Sequence, residues 1–190
     1  IADEGQRYVS RAALKLQHAL AHFGISAKGR YALDIGASTG GFTQVLLEQG
    51  AAHVTAIDVG HGQMRVSDPR VTLIEGLNAR DLARQHLAFP VDLIVCDVSF
   101  ISLKQALPPA MALAEPGAQL VALIKPQFEV GRDKLGKGGV VTDPQEHQRV
   151  CREISEFMSG LGWTVLGITP SPIEGGDGNR EFLMALSARE

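Results

Sequence analysis

Cysteine is scarce in this 190-residue chain: Cys96 and Cys151 are the only two. So few thiols suit a reducing compartment, and a cytoplasmic location is expected. Cys96 lies inside an apolar run and reads as core packing. No run of roughly 18 apolar residues occurs, so no transmembrane helix is expected. No secretory leader is visible either, and a chain that opens at Ile1 rather than Met is expected to be a fragment, a processed protein or one with further residues upstream. A formal charge of −3 does not announce a nucleic-acid binder, so any such role must rest on local patches. Nothing repeats, and no segment is low in complexity. His18 and His22 stand four residues apart but lack a third partner, so no metal site is expected. Residues 17–23 are too short for a long basic amphipathic helix, which weighs against a membrane-acting role.

What is present is enough apolar residue, 45% of the chain, for one domain with a substantial core. Its centre is Asp34-Ile35-Gly36-Ala37-Ser38-Thr39-Gly40-Gly41-Phe42-Thr43. An apolar run precedes it and a helix-like run follows it. A strand that ends in glycines and opens a helix lets the backbone approach a ligand closely and presents unpaired N–H groups. Dinucleotide folds require G-x-G-x-x-G, and Ser38 stands where the second glycine belongs. The form present is D-x-G-x-x-x-G-G. It resembles the first motif of S-adenosylmethionine-dependent methyltransferases, whose ligand is a cationic sulfonium suited to an acidic strand end.

Along the chain, Ser10 is placed to cap a helix over 11–23, because Val9, Ala13, Leu16, Leu20 and Phe23 recur at near-helical spacing. Gly24 is its expected stop. Short apolar runs follow at 31–35, 53–57, 71–74, 91–96, 119–124 and 164–168, with helix-compatible segments at 42–49, 80–87, 102–113 and 146–161. This alternation predicts a doubly wound α/β fold with a mostly parallel sheet. The run at 181–186 follows the sixth strand after too short a loop for a crossover helix, so it is expected to return antiparallel as a seventh strand.

The cofactor pocket is expected at the C-terminal edge of that sheet. Asp58 ends the second strand about 20 residues beyond the glycine turn, where an acid can hydrogen-bond a ribose diol. With it go Val59 and the helix-opening Asn78 and Ala79. Asn78 suits either a cap or an adenine contact. Asp97 ends the fourth strand. Two lysines are oddly placed: Lys125 ends the apolar run of the fifth strand, and Lys15 borders the helical apolar stripe. Glu181 opens the last strand. The long segment 126–142 carries four glycines among Arg132, Lys134 and Lys137. It reads as a solvated surface loop or as a substrate lid that touches phosphates.

Several motifs together carry a wider resemblance. They are Tyr8-Val9-Ser10-Arg11-Ala12-Ala13-Leu14-Lys15-Leu16, the glycine turn, Cys96-Asp97-Val98-Ser99-Phe100-Ile101-Ser102-Leu103, Lys125-Pro126-Gln127-Phe128-Glu129, and Gly178-Asn179-Arg180-Glu181-Phe182. Over nearly its whole length the chain resembles the TlyA or hemolysin-A-like ribosomal RNA methyltransferases, within the FtsJ-like 2′-O-methyltransferases. The resemblance implies a Rossmann-like methyltransferase fold of seven strands, mostly parallel with an antiparallel last strand. It implies S-adenosyl-L-methionine as cofactor, bound by Asp34, Gly36, Ala37, Ser38, Thr39, Gly40, Gly41, Phe42, Asp58, Val59, Asn78, Ala79 and Asp97. It also implies a K-D-K-E tetrad of Lys15, Asp97, Lys125 and Glu181, and ribosomal RNA or ribosomal subunits as partners. Residues 1–29 then form a linker and first helix, residues 30–190 the catalytic domain, and an S4-like RNA-binding domain is expected upstream.

A ribose hydroxyl is a poor nucleophile, so the enzyme must align it with the methyl group and help remove its proton. A free lysine, at about pKa 10.4, is mostly protonated at neutral pH. Burial and a second cation favour its neutral form, while carboxylates oppose this and fix its direction. Lys125 is therefore the expected base or orienter, steered by Asp97 and Glu181, with Lys15 on the ribose or a neighbouring phosphate. RNA contacts are expected from Arg7, Arg11, Arg132, Lys134 and Lys137. Base methylation often uses Asn-Pro-Pro-aromatic after the fourth strand, where this chain has Asp97-Val98-Ser99-Phe100. The competing expectations are a non-catalytic cofactor-binding assembly factor and, given the hemolysin label, a cytolysin.

Overall fold

The computed structural model describes residues 7–190; the polar opening at 1–6 lies outside them. The strands are β1 (Tyr31–Ile35), β2 (His53–Asp58), β3 (Val71–Glu75), β4 (Leu93–Cys96), β5 (Gln119–Ile124), β6 (Thr164–Pro170) and β7 (Phe182–Ser187). They form one sheet in the order β3-β2-β1-β4-β5-β7-β6. The pairs from β3 through β5 are parallel, whereas β7 runs antiparallel between β5 and β6. The return strand is thus inserted beside β5 instead of extending the edge.

Alternate side chains of the central strands point to opposite faces, and each face has its own core. On one face Ala32, Leu93, Val95, Val121, Leu123 and Leu183 pack against α1 (Ala12–Phe23) and α2 (Gly41–Glu48). On the other, Leu33, Ile94, Leu120, Ala122 and Met184 pack against α3 (Leu103–Ala106), α4 (Pro108–Leu113) and α5 (Pro144–Gly160). The first helix is therefore a layer of the domain. Its Ala13, Leu16, Ala19 and Leu20 are buried, and each leucine contributes about 1.5–3 kcal/mol by leaving water. Ser10 Oγ accepts from the Ala12 N–H at 3.1 Å, and Gly24 ends the helix in the left-handed region at φ 65°.

Two expected helices take other forms. Residues 80–87 make only two short 3₁₀ turns, Ala79–Asp81 and Arg84–His86. Between them Leu82 and Ala83 are extended, and the Ala83 N–H donates to His86 Nδ1 at 2.9 Å, not to a helical carbonyl. The span 102–113 breaks into α3 and α4, because Pro108 and Pro109 supply no N–H and Pro108 disfavours the helix behind it.

Candidate active site

β1 ends at Ile35, and the next residues fold tightly over the sheet edge. The N–H groups of Gly36 and Ala37 both donate to Ile57 O at 3.0 Å, pinning the turn to β2. Gly36 has φ 79°, and a Cβ there would overlap the Asp97 carbonyl oxygen, so this position has room only for glycine. Gly40, at φ 102°, packs under Met64 and Val66 from the loop that follows β2. Ser38 sits at φ 51° with its N–H on Asp58 Oδ2 at 2.6 Å, and Asp58 Oδ1 accepts from Gly60 at 2.8 Å. A carboxylate oxygen can accept more than one bond, so Asp58 retains capacity toward the pocket.

Beside the turn lies a cavity of about 410 Å³, walled by Gly36, Ser38, Asp58, Asn78, Asp97 and Phe100 among others. Val59 and Ala79 also line it, while Ala37, Thr39, Gly41 and Phe42 line a smaller hollow of about 70 Å³ against Ser10. Asn78 caps the first 3₁₀ turn through Oδ1, accepting from Arg80 N at 3.1 Å, and its amide remains on the cavity wall. Asp34 lies beneath the turn, fully buried. Its Oδ2 accepts from Thr43 Oγ1 at 2.7 Å, while Oδ1 has no partner. Burial is the main cause that pushes its carboxyl up to about 7, with Thr43 opposing and Asp97 and Asp58 adding to the rise.

The four charged residues of the expected tetrad gather as two ion pairs. Lys125 Nζ meets Asp97 Oδ1 at 2.6 Å and donates to Ser99 Oγ at 3.0 Å. Lys15 Nζ meets Glu181 Oε1 at 2.8 Å, and both side chains are nearly closed to solvent. Glu181 was expected to steer Lys125; here it holds Lys15 and accepts from Gln127 Nε2 at 3.0 Å. The register of β5 with β7, Ile124 opposite Phe182, brings Lys125 and Glu181 to adjacent strand ends. α1 packs over this end and gives Glu181 its cation, while Asp97 at the end of β4 engages Lys125. Breaking a buried pair from one side costs about 3–5 kcal/mol, because the other charge is left uncompensated.

Sequence reasoning passed over Ser99, Gln127 and Phe100 as site residues, although all lie in motifs it quoted. Phe100 is 90% exposed, non-glycine at φ 64°, and its ring lies 4.8 Å from that of Phe128. An aromatic held open in a strained backbone beside a charged pair is a functional signal that only the fold reveals. The expected RNA-contacting cations divide. Arg11, Arg132, Lys134 and Lys137 are exposed, although Lys134 lies 3.5 Å from Glu146. Arg7 is exposed too, but it pairs with Glu48 at 2.8 Å and lies over the Tyr8 ring, so any RNA contact must compete with these.

The family model for FtsJ-like methyltransferases matches residues 8–188. The chain belongs to the FtsJ-like methyltransferase family. A Mycobacterium tuberculosis relative named 16S/23S rRNA (cytidine-2′-O)-methyltransferase TlyA is 48% identical over 189 residues, covering 98% of this chain and 70% of that protein. Hemolysin A of Brachyspira hyodysenteriae is 41% identical, covering 93% of this chain and 75% of its own length. The crystal structure of a Lactococcus lactis protein provisionally termed a hemolysin superposes with a TM-score of 0.92 at 44% identity, covering 95% of this chain and 88% of that one. Among the described residues no helix is long and apolar enough to cross a membrane.

The cofactor of this family is S-adenosyl-L-methionine, and the site fits it. The cradle at Gly36 leaves the space a Cβ would fill, Asp58 and Asn78 offer polar groups along one cavity, and the orphaned Asp34 oxygen lies under the turn.

Proposed function

We propose that this FtsJ-like enzyme methylates ribosomal RNA at a ribose 2′-hydroxyl, in the cytoplasm, with Lys15, Asp97, Lys125 and Glu181 as its working residues. The observation that carries the reading is the Lys125–Asp97 pair at 2.6 Å, with Asp97 also forming part of the cofactor cavity wall. Relatives bearing the name rRNA (cytidine-2′-O)-methyltransferase support the substrate.

S-adenosyl-L-methionine, when bound, supplies an electrophilic methyl on sulfonium. Asp58 and Asn78 would hold its nucleoside, and the glycine turn would hold its amino-acid end. Lys125 pairs with Asp97 and donates one N–H to Ser99 Oγ, leaving a further position on Nζ for the acceptor hydroxyl. This fixes the oxygen for in-line attack. Lys125 yields one proton to Asp97, and its freed lone pair takes the hydroxyl proton as the methyl would pass from sulfur to oxygen. The proton left on Asp97 then goes to solvent. Lys15, oriented by Glu181, faces the ribose or its phosphate. Phe100 offers an exposed ring on which a splayed-out base can stack. Arg11 and the Gly-rich loop add a local cationic surface to an otherwise weakly acidic chain.

The reading is tested by Lys125→Ala. Methyl transfer to ribosomal RNA should fall at least about a hundredfold, the scale of a lost acid–base group, while calorimetric affinity for S-adenosyl-L-methionine stays within about twofold. Retained turnover would sink the assignment of Lys125. A wild-type protein that binds the cofactor but transfers no methyl would favour the assembly-factor alternative.

A further inference from the structure

Asp97 and Lys125 belong to different loops, one after β4 and one after β5. Their 2.6 Å contact persists only while those loops keep their separation. Glu129 crosses between them. It closes the turn that begins at Lys125, where the Phe128 N–H donates to Lys125 O at 2.9 Å and the Glu129 N–H to Pro126 O at 3.0 Å. From there its carboxylate reaches the β4 loop. Oε2 accepts from Ser102 Oγ at 2.6 Å and Oε1 from the Leu103 N–H at 2.8 Å.

Helix capping alone does not explain this arrangement. Ser102 already caps α3 through its own Oγ, which accepts from the Lys104 N–H at 3.1 Å. The carboxylate comes from a segment more than twenty residues away. It sits where burial raises its carboxyl above the usual range, against the lowering effect of Ser102, Leu103 and Lys104. Phe100 on Phe128 makes a second, apolar bridge between the same two loops. The aromatic bridge and the polar one both follow, in each loop, the point at which Ser99 meets Lys125.

We propose that Glu129 is a positioning residue for methyl transfer: by tying Ser102 and Leu103 to the Lys125 turn, it holds the two loops at the separation at which Lys125 meets Asp97 and Phe100 meets Phe128. The inference rests on Lys125 and Asp97 being the reacting pair. Glu129 itself does not line the cofactor cavity. Its removal should therefore act on kcat, through misplacement of groups that remain present; a displacement near 1 Å can cost about a hundredfold.

The test compares Glu129→Ala, Glu129→Gln, Ser102→Ala and the Glu129→Ala/Ser102→Ala double variant with Lys125→Ala. Turnover on ribosomal subunits, S-adenosyl-L-methionine affinity and melting temperature are read for each. Glu129→Ala should lower kcat by about ten- to a hundredfold, with cofactor affinity within about twofold. Glu129→Gln keeps an acceptor for Leu103 and should recover part of that loss. Ser102→Ala should lose less than Glu129→Ala, and the double variant should be no slower than Glu129→Ala alone, since both act through one link. If Glu129→Ala does not fold, the Gln and Ser102 variants decide on the same criteria. Full kcat in folded variants, or additive losses in the double variant, overturns the proposal. If Lys125→Ala is inactive while the Glu129 and Ser102 variants are fully active, only the positioning role fails. If Lys125→Ala is itself active, the underlying reading fails.

Discussion

Asp34 carries a cost that the fold accepts. Fully buried, with one oxygen bonded to Thr43 and the other without a partner, its carboxyl is raised from 3.8 to about 7. The folded state therefore binds this proton more tightly than the unfolded chain. Stability from the protonated form is fully present below about pH 4 and is lost as pH rises through about 7. His53, whose pKa burial lowers, acts in the opposite sense on acidification, so the contrast must be taken against a variant. Urea unfolding at pH 5 and pH 8 should show wild type losing stability relative to Asp34→Asn at the higher pH. A difference that does not change with pH would contradict this. At the same scale, the identity of the charged residues was legible, because a lysine closing the apolar run 121–124 is anomalous. Their pairing was not. Which carboxylate meets which lysine depends on how α1 docks over β7, and spacing along the chain does not encode it.

Among the elements, the loop between β5 and α5 combines exposed cations with firm anchors at one end. Asn179, buried, accepts from the Val141 N–H at 2.9 Å and donates to Gly139 O at 3.2 Å, and the ring of His147 lies 2.7 Å from Val141 O. The segment carrying Arg132, Lys134 and Lys137 is thus presented from a fixed base, next to the site. Replacing all three by Ala should weaken RNA binding across sequences. It should also lower the salt slope by up to about 0.7 per lost phosphate contact on single-stranded RNA, with cofactor affinity unchanged. An unaltered slope would return the loop to a plain solvated surface. The strands were legible from short β-rich runs bounded by glycines and charges. The helices were less so: the Pro108-Pro109 break and the Ala83–His86 closure are local events that apolar periodicity alone overlooks.

At the scale of the molecule, strand–helix alternation and a final run too close to its predecessor for a crossover were enough to indicate a mostly parallel sheet with an antiparallel return. That topology places the glycine turn, Asp58, Asp97 and Lys125 along one edge, so the pocket follows from the fold class. The acceptor is less directly written, because fold does not settle substrate. Much of the RNA affinity is proposed to come from an S4-like domain upstream, since the 18 lysines and arginines of this chain are outnumbered by 21 acids. The most direct test follows the methyl group itself. Ribosomal subunits are incubated with labelled S-adenosyl-L-methionine and either this chain or the chain carrying that upstream domain, and the labelled nucleotide is mapped. Both proteins should mark the same ribose 2′-oxygen, the longer one at lower concentration. Label on a base, or none from either protein, would contradict a ribose methyltransferase built on Lys125 and Asp97.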